Sequence, residues 1–396
     1  MTPPRLGPWR AAAIAAAAGS ALAGGCGAPL FGEAKPPPAQ PSGEPGVVLE
    51  RTIVFEAGGR LDWCHANNRI AFDRGTRSGV AEVWTIDPYG QDEQCLTCDM
   101  AGLPKGLRGH PSWHPSCQWL VIQVSNRNAK GGRYEQLAWG IHHDLWAVAA
   151  DGSWAEPLVS VGPLGASLAP RLSRDGARLA WSVRRPTGRR IAQKTGQRTP
   201  GAENPWDGWQ LATAKIEIGR GGRPRLGPRV TLFQGAPGGG FYEAEALVGD
   251  TLWFSHTSHG APYVDDIFQL NLSGGQPVNL TSVNLTNSPG IWDEHAKPSP
   301  GGKLVAFDSS APFEWRHPPD LAGSLRLELF VLDRKGRRFR ISGLDEKLAA
   351  EGGGRAVAGE FAWGPGGKEI ALSYAFFSPD GALSQRIEVI ELDGFH

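Results

Sequence analysis

The chain has no surplus of charge: 40 Lys and Arg stand against 40 Asp and Glu in 396 residues. A global field that would draw it to nucleic acid or to an anionic surface is therefore absent. After position 25 no run is apolar enough to cross a bilayer. No G-x-S-x-G motif occurs, so the nucleophile elbow of an α/β-hydrolase is absent. Gly-rich "APGGG" and "EGGGR" lack the strand-to-helix setting of phosphate loops. Cysteine is scarce, and the one C-x-x-C, Cys95 to Cys98, has no second copy with which to build a zinc knuckle.

What the chain does have is Gly 54, Pro 32 and Trp 15. Many turns and large aromatic anchors point to an all-β protein. With 40% hydrophobic residues and 20% charged, a sizeable core is within reach.

The first 25 residues read as an export signal. Arg5 and Arg10 precede the short, small-residue apolar run "AAAIAAAAGSALA". Two processing routes stay open. Ala21-Leu22-Ala23 fits ordinary signal peptidase, while "LAGGC" resembles a bacterial lipobox and would place a lipid on Cys26, with Leu22 one position further out than usual. Residues 26–46 are a Pro-rich tether with little to bury. The expected location is periplasmic or cell-surface, with an outer-membrane lipoprotein as one form. Cys64, Cys95, Cys98 and Cys117 then become disulfide candidates, for which spacing leaves three pairings open.

From residue 47 to 396 one pattern returns six times. "LDWCHANNRIAFDR" (Leu61), "PSWHPSCQWLVIQVS" (Pro111), "PRLSRDGARLAWSVR" (Pro170), "EALVGDTLWFSHTS" (Glu245), "KPSPGGKLVAFDSS" (Lys297) and "FAWGPGGKEIALSY" (Phe361) each join two short strands by a tight turn. A further strand and turn follow most copies, as in "EVWTIDPYG" (Glu82), "DLWAVAADG" (Asp144) and "ELFVLDRKG" (Glu328). Ala71, Val121, Ala180, Trp253, Ala306 and Ala371 are equivalent, at intervals of 50, 59, 73, 53 and 65 residues. A four-stranded unit of this kind buries both faces only when stacked radially, which predicts a six-bladed β-propeller. The last unit lacks an outer strand, and "VVLERTIVFE" (Val47 to Glu56) is predicted to supply it and close the ring. A seventh blade would have to lie in the irregular Arg184 to Gly240 stretch.

"SPGGKLVAFDSS", "SRDGARLAWS" and "DLWAVAADG" resemble the repeat elements of the bacterial TolB-type propeller. The resemblance covers residues 47–394 and implies the fold; "CHAN" (Cys64 to Asn67) and "ALVG" (Ala246 to Gly249) depart from its S-P-D-G turn, and no separate N-terminal domain of the TolB kind is recognised ahead of the repeats. It implies an exported envelope scaffold that binds a protein or glycan partner and no nucleic acid, without catalysis. The chain distantly resembles oligogalacturonide lyases as well, which implies the alternative of a metal-dependent polysaccharide lyase or hydrolase.

Eleven residues before each equivalent position, with one fewer in the fourth unit, stand Arg60, His110, Ala169, Glu243, His295 and Glu360. These are expected at the channel mouth, with Asp62, Glu245, Asp293 and Glu294 nearby. His110, Glu243, Asp293, Glu294, His295 and Glu360 are the candidate ligand residues. His110, His295 and Glu243 are the candidate ligands of a divalent cation, no other cofactor being expected. The bland alternative is a polar, hydrated mouth in which the Trp-Asp-Glu-His corner staples a loop. His256 and His259, and His142 and His143, are expected in loop roles. The acid-free basic stretch Arg184 to Arg198 is expected to be a solvated insertion anchored by Trp206 and Trp209.

Overall fold

The structure is a computed structural model that describes residues 48–75, 80–132, 135–185, 208–234, 240–257, 265–280, 291–313, 325–344, 346–347, 353–379 and 383–393. The stretches expected to be an export signal and a tether, with Cys26, and residues 186–207 and His259 fall outside them. Among the described residues no helix is long and apolar enough to cross a membrane.

Six antiparallel sheets follow one another along the chain. Blade 1 consists of Leu61–Cys64, Arg69–Gly75, Ala81–Ile86 and Gln94–Cys95. Blade 2 takes Arg108–Trp113, Trp119–Ser125, His143–Ala149 and Ala155–Val159. Blade 4 takes Tyr242–Val248, Thr251–Thr257, Asp265–Asn271 and Val278–Asn279. Blade 5 takes Asp293–Pro298, Leu304–Ser309, Glu328–Asp333 and Arg338–Arg340. Blade 6 joins Arg355–Trp363, Glu369–Phe377 and Leu383–Leu392 to the N-terminal strand Val48–Phe55, with Thr52 opposite Val389.

Blade 3 is the exception. Its first two strands, Ala166–Leu172 and Arg178–Arg184, are ordinary, but its third, Trp209–Ile218, runs to 10 residues and carries two outer strands. Val230–Gln234 pairs with its first half and Pro224–Leu226 with its second. Extra strand therefore accounts for part of the longest repeat interval; the described residues form no seventh sheet.

The repeat's apolar centre explains the radial stacking. Phe72, Ile122, Trp181, Phe254, Phe307 and Leu372 follow the six equivalent positions, and each is at most 1% exposed. There are six blade-to-blade cores for six blades. Blades 1 and 2 meet around Ala71, Trp113 and Leu120, and blades 2 and 3 around Val121 and Trp181. Leu211 and Phe254 lie between blades 3 and 4, and Ile267 and Phe307 between 4 and 5. Val331 and Phe361 join 5 to 6, and Phe72 and Val389 join 1 to 6. An open arc would have one interface fewer, so the ring is closed. Burial of this apolar area, at roughly 25 cal/mol per Å², is the main term holding the blades together.

Candidate functional site

The innermost strands carry a shared distortion. Register shifts fall between Gly109 and Ser112, Leu168 and Arg171, Ala244 and Ala246, Glu294 and Lys297, and Ala358 and Phe361. At three of these bulges a non-glycine residue takes a left-handed backbone: His110 (φ 52°), Ala169 (φ 50°) and His295 (φ 57°). The preceding blade holds the distorted amide in place. His110 N donates to Asp73 Oδ2 at 3.0 Å, Ala169 N to Gln123 Oε1 at 2.9 Å and Ala244 N to Ser182 Oγ at 3.1 Å. Gly59 and Gly109 leave the space that Asp73 occupies, since a Cβ on either would lie within 2.7 Å of its carboxylate oxygens. The pattern also makes Ala244, not Glu243, the counterpart of His110. The count along the chain misses by one there because the bulge offsets the strand.

The sequence-predicted residues do converge, but within the hub rather than at an open mouth: His110, Glu243, Glu294, His295 and Glu360 are all buried. Arg60 of blade 1 reaches across to Glu243 of blade 4 and to Glu360 of blade 6, the latter at 3.3 Å. His110 Nε2 lies 3.3 Å from Arg60 Nη1 and 3.7 Å from Glu360. Glu360 also receives Arg171 Nη2 at 2.9 Å and Lys297 Nζ. Burial alone would raise the Glu360 carboxyl, but the charges of Arg171 and Lys297 hold it well below the usual range. Glu245 is opposite in sense: burial and then Glu243 push it well above that range. Burial likewise keeps His110 and His295 neutral, the latter lowered to about 3, and His295 Nδ1 lies 3.0 Å from Asp308. Glu294 is raised by burial and by Asp265 and Glu243. Asp293, fully buried, acts electrostatically on Arg338 of its own blade.

Two residues further along the inner strands, counted from Ala244 in blade 4, lies a second ring: Asp62, Ser112, Arg171, Ala246, Lys297 and Ala362, with Glu245 beside it in the blade 4 bulge. It opens onto a cavity of about 390 Å³ whose wall also includes Trp63, Trp113 and Trp363. These polar groups stitch neighbouring blades through the backbone. Asp62 accepts from Trp63 N at 3.0 Å and Trp113 N at 2.6 Å, and Ser112 Oγ accepts from Leu172 N at 3.0 Å. Arg171 Nε donates to Ala244 O at 3.2 Å, and Lys297 Nζ to Phe361 O at 2.6 Å. Across the mouth, Arg174 of blade 3 spans to blade 5, donating to Ser299 O at 2.8 Å, to Pro300 O at 2.9 Å and to Pro298 O. Glu245 Oε2 has no hydrogen bond, Arg171 Nη2 being its nearest ion-pair partner at 3.5 Å.

His110, Glu243 and Glu360, and likewise Glu243, Glu245 and His295, bring one potential metal-ligand atom each to within 4.8 Å of one another. Imidazole and carboxylate suit a divalent cation in type. The first trio does not suit one in charge, since Arg60 already bridges its two carboxylates and cannot lose its proton. The second keeps Glu245 Oε2 open.

Asp73, Arg171, Lys297 and Asp308 escaped the sequence reading. For Asp73 and Asp308 a signal was present: the second residue after each equivalent position is Asp73, Gln123, Ser182, Ser255, Asp308 or Ser373, polar in all six repeats. The remaining candidates take local roles. His256 stacks on Tyr242, ring centroids 4.2 Å apart, and bonds Phe241 O. His142 bridges Glu135 and Pro163 O, and His143 is buried against Ser125 and Gln123. Trp209 lies in the core between blades 3 and 4. Of the three cysteine pairings, the structure has Cys64–Cys117, joining blades 1 and 2, and Cys95–Cys98.

Fold and site together define a six-bladed β-propeller with a charged, self-paired hub beneath an open cavity. No family model matches the chain. A 148-residue stretch is 28% identical to the uncharacterized protein YidR of Escherichia coli (strain K12), covering 32% of this chain and only 33% of that relative. TolB from Acinetobacter baumannii is similar in structure at a TM-score of 0.47 and 12% identity, over 81% of this chain and 63% of that one. An oligogalacturonate lyase in complex with manganese gives 0.46 and 10%, over 89% and 95%. A putative TolB from Agrobacterium tumefaciens gives 0.44 and 12%, over 86% and 91%.

Proposed function

We propose that this chain is an exported, non-enzymatic scaffold of the cell envelope that receives part of a protein partner in the channel cavity. The observation that carries this reading is the state of the cavity's polar groups. Asp62, Ser112, Arg171 and Lys297 are bonded to backbone or to hub acids, and His65 Nε2 lies 2.8 Å from Trp363 O. A glycan presents a hydroxyl on nearly every carbon and would leave most of them unmatched here, at a cost of about 1–3 kcal/mol for each buried group. Ser173 and Arg174 are bonded as well, and Glu245 keeps one oxygen open; the remainder of the wall is largely apolar, with the three Trp residues, Leu172, Leu247, Val248, Pro115 and Pro300. Such a surface suits an apolar side chain of a protein. Export is supported by the arginine-flanked apolar N-terminus and by the two disulfides.

A photo-crosslinking residue at Leu247, introduced in cells, tests this. An adduct with an envelope protein that is lost when Ala246→Trp fills the cavity is the expected result. Adducts unaffected by that filling, or only glycan adducts, would overturn it.

A second reading rests on Glu243, Glu245 and His295: a divalent cation held there would supply a Lewis acid for cleavage of a polysaccharide. It requires a stoichiometric cation in the purified protein that disappears in His295→Ala.

A further inference from the structure

The two disulfides differ in what surrounds them. Cys64 and Cys117 are 2% and 6% exposed, whereas Cys98 is open to solvent and Cys95 half-buried. Cys95 is fixed on the outer strand of blade 1, opposite Trp84. The loop between the two sulfurs is anchored independently of the bond. Thr97, fully buried, donates through Oγ1 to Glu82 at 2.6 Å and accepts Val83 N at 2.9 Å. Its carbonyl accepts from Arg108 at 2.5 Å, and Leu96 N donates to Val83 O at 2.9 Å. With the S–S bond broken, these contacts would still hold the two sulfurs near each other. Finally, Cys98 N donates to Cys95 Sγ at 3.1 Å, the contact that stabilises a sulfur on which negative charge develops.

We propose that Cys95–Cys98 is a thiol–disulfide exchange site for a dithiol protein of the thioredoxin class. The partner's thiolate attacks the exposed Cys98 Sγ and forms a mixed disulfide. The Cys95–Cys98 bond breaks, and Cys95 leaves as a thiolate held by the Cys98 amide. The partner's second thiol then attacks the mixed disulfide, releasing Cys98 and closing the partner's own disulfide. Two electrons pass to this chain, the partner is oxidised, and protons from solvent neutralise the two thiolates. The reverse sequence reoxidises the site, for which the anchored loop keeps both sulfurs placed.

The test uses the fully oxidised chain. It is titrated with dithiothreitol, quenched by alkylation and read by peptide mass spectrometry. Separately, it is mixed with a thioredoxin whose resolving cysteine is replaced by serine. Cys95–Cys98 is expected to open at about a tenfold lower dithiothreitol concentration than Cys64–Cys117. The trapped adduct is expected on the peptide bearing Cys98. Simultaneous opening of both disulfides, an adduct on Cys95, or no adduct would each overturn the proposal.

Discussion

The two rings of the hub spend charge in different directions. In the first, Arg60 and Glu360 reach across the axis, so blades far apart in sequence are tied through side chains. In the second, Asp62, Ser112, Arg171 and Lys297 bond the backbone of another blade around the ring. A carboxylate in the first ring is compensated by cations, and its loss leaves those cations buried. An acceptor in the second satisfies amides, and its loss leaves them bare. Glu360 and Glu245 condense the contrast: both are almost fully buried, yet one is held ionised and the other is driven towards its neutral form.

The largest expected effect comes from Glu360→Ala, which strips Arg60, Arg171 and Lys297 of their shared partner. A loss of about 3–5 kcal/mol in urea unfolding is expected. Glu245→Gln should shift stability by no more than about 1 kcal/mol, because the neutral carboxyl already has the charge of the amide. Equal losses in the two variants would end the distinction between the residues. Asp62→Ala should lie between them, at about 1–3 kcal/mol, through the unpaired amides of Trp63 and Trp113.

The smallest effect is a pH slope. Burial raises Asp73 from 3.8 to about 6, against the opposing pull of the His110 amide and Arg60. A folded value above the unfolded one contributes stability at low pH that fades as pH rises through about 6. Asp73→Asn should therefore gain on the parent between pH 4 and pH 7, read as a rising difference in urea midpoint. A constant difference would show that Asp73 titrates alike in both states.

Blade number and blade content were legible because the repeat is local: a turn flanked by alternating residues is written in contiguous letters. The candidate cluster was legible only as a set of residues. Counting back from Trp253 reached Glu243, but the bulge makes Ala244 the counterpart, and a bulge is fixed by Ser182 of another blade. A ring of six sets blade 1 opposite blade 4, but that the side chains of Arg60 and Glu243 would meet on the axis is not encoded in any spacing along the chain. The buried state of His110 and Glu360 was hidden for the same reason, since exposure belongs to the assembled ring.

Blade 6 takes its outer strand from Val48–Phe55 and the other three from Arg355–Leu392. During synthesis the earliest of these segments must wait, without its hydrogen-bonding neighbour, until the latest has been made. The loop to be closed spans more than 300 residues, although its entropic cost grows only with the logarithm of that length. Five blades can form in order as the chain emerges; the sixth is assembled last, by an encounter of distant ends.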